Sequence, residues 1–411
     1  MFPLSGLKVT SFAWLGAGPV GIRYLSTMGA TVVRIESHRR IDNLRSMLPY
    51  KDGVVGVDRT PFFPDVNAAA MSVSIDLNKQ SGLDIAWRLI EWADVIAENF
   101  TPGTMKKWGI DYFSVSKVKP DIIYLSSCQM GQSGPLAKYA GLGYHSAAMA
   151  GFSDLTGWSD REPAPIPTAF TDPLSARFVA IGILAALEYR RRTGHGQYID
   201  ISQLEVSIQH LAPAIMNCLV NGRSMTRCGN SLQYAAPHNV YPCKGNDRWC
   251  AVAVLNDTQW EAFCRVVDQE WVRETKFSTL LLRKKNEKEL DELVSKWTIG
   301  RTAEEVEAHM QAEGVPSHVV STMKDAFEDS QMRHRGFLRE LKHSVMGYHT
   351  YHAHGFKLSK TDGTWRAGPA LGEHNEYVFK ELLGMTDDEI ADALIEGGIT
   401  TDADLPSYTQ E

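Results

Sequence analysis

Two stretches of the chain carry residue types whose spacing suggests chemistry. Gly16-Ala17-Gly18-Pro19-Val20-Gly21 is a literal GxGxxG; it follows a β-rich run, opens a helical one and has Glu36 about twenty residues on. In that setting the pattern predicts dinucleotide binding, and with it NAD-dependent oxidoreduction. Its physical content is narrower: a helix N-terminus after a turn of small residues offers free N–H groups to any anion. Pro19 removes one of those donors. The second stretch is PTAFTDPLSARFVAIGIL, where Asp172 directly precedes Pro173 at the mouth of the longest helical pattern. Asp followed by Pro is an ordinary helix start, and the spacing alone predicts a capping aspartate. A helix N-terminus also favours an ionised carboxylate, the form that can attack an electrophile.

The elements around these residues alternate. LKVTSFAW, ATVVRIES, SVSID, DVIAE and DIIYLSS read as strands, separated by helical patterns such as GPVGIRYLSTMG and the run from Gly82 to Glu91. Strands alternating with helices predict an α/β domain built on a Rossmann-like, doubly wound parallel sheet covered on both faces. PLSARFVAIGILAALEYRRR reads as a mostly buried helix that ends at RRRTGHG, with cations at the negative end of its dipole and Gly194 as terminator. A polar stretch from Asn221 to Asn239 interrupts the pattern, and RWCAVAV followed by TQWEAFCRVV begins a smaller α/β domain. The expected division is a large domain over 1–227, a small domain over 228–328, and a return to the large domain with C-terminal helices over 329–411.

Composition excludes several classes. A net charge of -7 argues against a nucleic-acid partner, which needs a broad basic surface. The six cysteines contain no CxxC pair and have no histidine pair near them at zinc-site spacing, so no metal site is expected. No apolar run approaches the roughly 20 residues of a membrane span, and MFPLSGLKV lacks the features of a secretory signal, so a cytoplasmic location with no membrane partner is expected.

Seven segments in order along the chain resemble the family III CoA-transferases. They are PLSGLKV and AGP with LSTMGATVVRIE; SVSIDLNKQSG; ADVIAENFTPGTMKKWGI; KPDIIYLSSCQMGQSGP; IGILAALEYRRRTGHGQYIDIS; GVPSHVV; and GPALGEHNEYV. That group includes formyl-CoA, carnitine and benzylsuccinate CoA-transferases and the related α-methylacyl-CoA racemases. The resemblance implies that the AGP loop serves coenzyme A, bound as substrate, and not a nicotinamide. By position, Leu15 and Ala17 would line the coenzyme, with Trp14 and Gly16 beside them where other members carry histidine and glutamine. Arg39, Ile75, Asn99, Phe100, Lys107 and Trp108 fall where relatives hold the nucleotide and pantetheine arm, and His38 or Arg40 could replace Arg39 after a small shift.

Asp172 matches the family's catalytic aspartate. The implied reaction moves CoA from an acyl-CoA, with succinyl-CoA the expected donor, to a carboxylic acid through an aspartyl anhydride and an aspartyl-CoA thioester, without metal or ATP. GWSDREPAPIP and the overall pattern resemble the benzylsuccinate branch of the family most, and that resemblance implies an aromatic or branched dicarboxylate acceptor such as benzylsuccinate. Gly222, Gly229 and Gly245 are candidates for backbone donors to the substrate's oxyanion. A racemase would need a histidine that stands as tyrosine here, in Gly143-Tyr144-His145, so that activity is the lesser alternative and a structural role is expected for His145. Relatives form interlocked dimers, which implies a homodimer or a pair with a homologous subunit.

Overall fold

A computed structural model describes residues 1–406 as two compact units. The first comprises residues 1–153, 165–224 and 334–406, and the second 154–164 and 225–333. The second unit thus includes a short segment ahead of the long helix, besides a span close to the 228–328 read from sequence. Among the described residues, no helix is long and apolar enough to cross a membrane.

The first unit is built on six parallel strands in the order β3-β2-β1-β4-β5-β6. They are β1 (Lys8–Ser11), β2 (Thr31–Glu36), β3 (Met71–Ser74), β4 (Val95–Glu98), β5 (Ile123–Cys128) and β6 (Gln197–Ser202). This is the doubly wound order expected from the alternating pattern, and the order reverses between β1 and β4. Adjacent residues of a strand point to opposite faces, so Val32 and Val33 enter different cores. One core gathers Val33, Val73 and Ile96 under Ile85 and Leu89 of the Gln80–Trp92 helix; the other gathers Val9, Val32 and Ile123 under Ile22, Leu25, Val179 and Ile183. The β6 strand, not anticipated as a strand from its sequence, lies at the sheet edge and is only partly covered. A hairpin of β10 (Leu338–His343) and β11 (Gly347–His352) completes the unit with the C-terminal segment, where Thr400 bonds back to Ser74.

The second unit has its own antiparallel sheet of β7 (His238–Pro242), β8 (Trp249–Ala253) and β9 (Ser317–Val319). Tyr241, Cys250, Val252, Trp260, Phe263, Leu290, Val294 and Met310 form its separate core.

The Thr171–Thr193 helix ends as expected. Gly194 takes a left-handed φ of 76°, Arg190 pairs with Asp94, and Arg191 and Arg192 pair with Glu188. It is less buried than its composition suggested. One stripe, including Leu174, Val179 and Ile183, faces the sheet, while Ile181 and Leu184 are exposed.

That helix is pinned to the Ala17–Thr27 helix by the absence of a side chain at Gly21. A Cβ there would lie 2.5 Å from the Val179 Cβ and 2.7 Å from the Ala176 carbonyl oxygen, so the two helices touch backbone to backbone. Gly21→Ala is expected to lower stability by about 1–3 kcal/mol, because overpacking forces the helices apart. Urea denaturation checks this, and an unchanged midpoint would contradict the close contact.

Candidate active site

The C-terminal ends of β1, β4 and β5 meet at the point where strand order reverses, which is where a doubly wound sheet opens a crevice for a ligand. A cavity of about 250 Å³ lies there. It is lined by Leu15, Gly16 and Ala17 after β1, Asn99 to Pro102 after β4, Ser127 to Gln129 at the end of β5, and Gly143, Asp172 and Gln203.

The loop after β1 is fixed by side chains from its neighbours. Asn99 Oδ1 accepts the Trp14 N–H at 2.7 Å, and its Nδ2 donates to the Trp14 carbonyl at 2.7 Å. Leu15 holds a left-handed φ of 58°, costly for a branched residue, and its N–H is held by Asp42 at 3.0 Å. The three glycines of the GxGxxG are accounted for by contacts within the chain. A Cβ on Gly16 would lie 2.9 Å from Asp172 Oδ2, one on Gly18 would lie 2.7 Å from the Ala13 Cβ, and Gly21 meets Val179.

Asp172 is half-buried and does not cap its helix, contrary to the Asp-Pro expectation. The helix begins one residue earlier, at Thr171, and no side chain caps it. Thr168, at a left-handed φ of 75°, turns the chain into that start. The Asp172 carboxylate instead accepts a short hydrogen bond from Gln203 Nε2 at Oδ1. Gln203 Nε2 also donates to Thr171 Oγ1 at 3.0 Å, and the Thr171 hydroxyl donates to the Gly143 carbonyl at 2.8 Å. Burial raises the Asp172 carboxyl above its ordinary value and the Gln203 bond opposes that rise. Among the described residues it makes no ion pair, so its charge is met by a neutral amide.

Cys128 shares the cavity, but burial pushes its thiol up to about 11, so at neutral pH it is a weak nucleophile. Glu98, also not singled out by its sequence, accepts the Phe100 N–H at 2.7 Å, and burial pushes it up to about 7.

The other residues named from the sequence divide into those at the cavity and those away from it. Leu15, Gly16, Ala17, Asn99 and Phe100 line it with Asp172. Trp14, Phe100 and Trp108 form an aromatic row with ring centroids 6.0 and 5.7 Å apart, and exposed Lys107 immediately precedes Trp108. Arg39 pairs with Asp76 at 2.9 Å and Asp404 at 3.1 Å. Its neighbour Arg40 stacks over Trp14, 5.5 Å from the ring centre, and makes no ion pair among the described residues. Ile75 is 1% exposed and sits in the sheet core. His145 Nδ1 accepts the Leu142 N–H at 3.0 Å, the structural role expected for it, and Tyr144 is exposed. Gly222 and Gly229 spend their N–H groups on Cys218 and Gly157 carbonyls at 2.9 and 2.8 Å, while Gly245 lies in the second unit. Gln203 follows a strand by one position; a polar residue at the C-terminal end of a strand in such a sheet was the available signal.

Comparison with known proteins is consistent along the chain. A model of CoA-transferase family III matches residues 4–375. A succinyl-CoA–D-citramalate CoA-transferase of Chloroflexus aurantiacus is 31% identical over 95% of this chain and 96% of its own length. A mouse succinyl-CoA:glutarate CoA-transferase is 29% identical over 97% of this chain and 91% of its own. The crystal structure of a CAIB/BAIF family protein from Brucella suis superposes with a TM-score of 0.85 at 30% identity, covering 93% of this chain and 99% of that one.

Gly16 lies within the right-handed helical region, which alanine can adopt, and a Cβ there would meet the Asp172 side chain, its Oδ2 nearest at 2.9 Å. Gly16→Ala is expected to keep the melting temperature within a few degrees of wild type while acyl-exchange activity falls about 100-fold, the effect of an ångström-scale misplacement. Full activity in a folded G16A chain would show that the Asp172 position is not critical.

Proposed function

This chain belongs to the family III CoA-transferases, and on that premise we propose that it transfers CoA from succinyl-CoA to a small dicarboxylic acid with Asp172 as covalent carrier. The reading is carried by one observation, a half-buried carboxylate facing the cavity and held by a single neutral donor. A carboxylate deprived of water and of a counter-cation is a better nucleophile than a solvated or salt-bridged one, and the Gln203 bond favours its ionised, attacking form against the effect of burial.

In the proposed cycle Asp172 attacks the donor's thioester carbonyl and CoA departs as thiolate, leaving a mixed anhydride. The thiolate then displaces the donor acid from the aspartyl carbonyl, and the acceptor acid enters by the reverse sequence. One thioester is exchanged for another, so no external energy source is needed. The coenzyme's thiol arm would run along the Trp14–Phe100–Trp108 row, with Lys107 and the Arg39–Arg40 pair available to its phosphates. Arg40 is the better placed of the two arginines, since Arg39 is already committed to two carboxylates. The relatives' names, citramalate and glutarate transferases, favour an aliphatic dicarboxylate ahead of benzylsuccinate as acceptor. Racemisation is disfavoured because His145 is engaged by backbone and Tyr144 takes the position next to Gly143.

A second copy of the chain is the proposed partner. The Ala212–Asn221 helix buries none of its residues although it is largely apolar, with Leu219 and Val220 74% and 70% exposed. An apolar helix left bare in one chain marks a surface for another.

Two measurements test these readings. Intact-mass spectrometry after incubation with succinyl-CoA is expected to show a hydroxylamine-sensitive adduct on the wild-type chain and none on Asp172→Ala, with exchange of labelled acid into CoA lost; an adduct that survives in D172A removes the aspartate from the mechanism. Sedimentation equilibrium is expected to give about twice the 45.7 kDa chain mass, and Leu219→Asp to give the single-chain mass; a monomeric wild type would reject the partner.

A further inference from the structure

We propose that Gln203 is a catalytic residue that donates the hydrogen bond to the oxyanion formed on Asp172 itself when coenzyme A attacks the acylated enzyme, leaving Oδ2 as the atom that carries the acyl group. This rests on the covalent reading of Asp172 and supplies its second chemical step with a donor.

The cycle makes oxyanions in two different places. When Asp172 attacks a thioester, charge develops on the substrate's carbonyl oxygen. When thiolate attacks the resulting anhydride at Asp172 Cγ, it develops on an oxygen of Asp172. The second oxyanion needs a donor aimed at the aspartate and not at the substrate.

The hydrogen-bond directions around Gln203 follow from one fixed acceptor. A backbone carbonyl only accepts, so the Thr171 hydroxyl, 2.8 Å from the Gly143 oxygen, must donate to it. Thr171 Oγ1 then presents lone pairs to Gln203 at 3.0 Å, which requires the amide nitrogen to face it. The other hydrogen of that nitrogen is left for Asp172 Oδ1. Turning the amide over would set its oxygen against two acceptors at once. Thr171 and Gln203 are buried, so water does not readily replace either bond. The donor is therefore aimed before any ligand arrives, which is the condition for electrostatic catalysis.

The two carboxylate oxygens are unequal in consequence. Oδ1 is bonded to Gln203 and packed against Gly143, where a Cβ would come within 2.6 Å of it. Oδ2 faces Gly16. Attack by Oδ2 on the donor thioester forms the O–C bond and breaks C–S, and CoA leaves as thiolate with the electron pair. The thiolate sulfur then bonds to Cγ and the carbonyl electron pair moves onto Oδ1. Collapse restores the carbonyl and breaks Cγ–Oδ2, and the donor acid departs as a carboxylate carrying that oxygen. The acceptor carboxylate next attacks Cγ, forms the same oxyanion on Oδ1 and expels CoA as thiolate. In the resting carboxylate Oδ1 shares the charge, whereas in each tetrahedral intermediate centred on Cγ it bears all of it, so the Gln203 bond strengthens where it accelerates those steps.

Gln203→Met and Gln203→Glu in the full chain test the assignment, with succinyl-CoA as probe, rapid quench and intact-mass spectrometry. Q203M is expected to bind a non-reactive CoA thioether with wild-type affinity and to acquire the acyl mass, while conversion to the CoA-bearing enzyme slows about 100-fold. Q203E restores a donor only while the pair shares a proton, so its exchange rate is expected to fall as pH rises through the pair's upper ionisation, where the wild type stays level. Conversion at the wild-type rate in Q203M, or a wild-type pH profile in Q203E, would overturn the role. If Q203M does not fold, the Q203E profile decides. If the wild type gains neither acyl nor CoA mass, the covalent reading of Asp172 fails, and the inference falls with it.

Discussion

The hydrogen bond from Gln203 to Asp172 sets the character of the whole site. Burial alone would push this carboxyl toward its neutral, unreactive form, while an arginine or lysine partner would keep it charged but dull its reactivity. A single neutral amide lies between those limits: it opposes the effect of burial without cancelling the negative charge. The amide can do so because Thr171 and the Gly143 carbonyl fix which of its ends faces the acid. Three segments far apart in sequence, after β5, at the start of the long helix and after β6, are thereby tied to one oxygen atom.

The glycines leave the Asp172 carboxylate at the cavity wall. Gly16 and Gly143 flank the carboxylate, and each would touch it if it carried a methyl group. Gly21, farther along the same helix, lets the long helix approach closely enough to deliver Asp172 to the loop after β1. A GxGxxG is commonly explained by a pyrophosphate against the backbone. Here each glycine has an intramolecular neighbour at contact distance, which explains how a dinucleotide fingerprint arises in a chain whose family handles CoA.

Two of the described non-glycine residues with a left-handed φ lie in the same region. Leu15 and Thr168, left-handed without being glycine, sit in the two turns that carry the cavity wall and Asp172. Such residues persist only where surrounding contacts overdetermine them. Asp42 and Asn99 supply those contacts for the loop after β1, holding the Leu15 and Trp14 peptides. The loop after β1 is thus held by side-chain bonds, while Gly143, Asp172 and Gln203 are delivered by the first turns of helices.

Local periodicity determined the strands β1 to β5, the helices after β1 and β3, the parallel doubly wound class and the end of the long helix at Gly194. These depend on residues within a few positions of one another, and alternation or helical spacing reports them directly. The ordered motifs pointed to the family and to Asp172. What the chain order does not encode is which distant atoms meet. Asp172 looked like a helix cap because Asp-Pro is one, and only the packing of β6 against β5, which brings Gln203 across, gives its carboxylate another partner. Arg39 looked free until the C-terminal segment brought Asp404 to it, and Ile75 looked available until strand pairing buried it. Gln203 itself has no signature, because its importance lies in the direction of one N–H, and that direction is set by a threonine and a carbonyl contributed by two other parts of the fold.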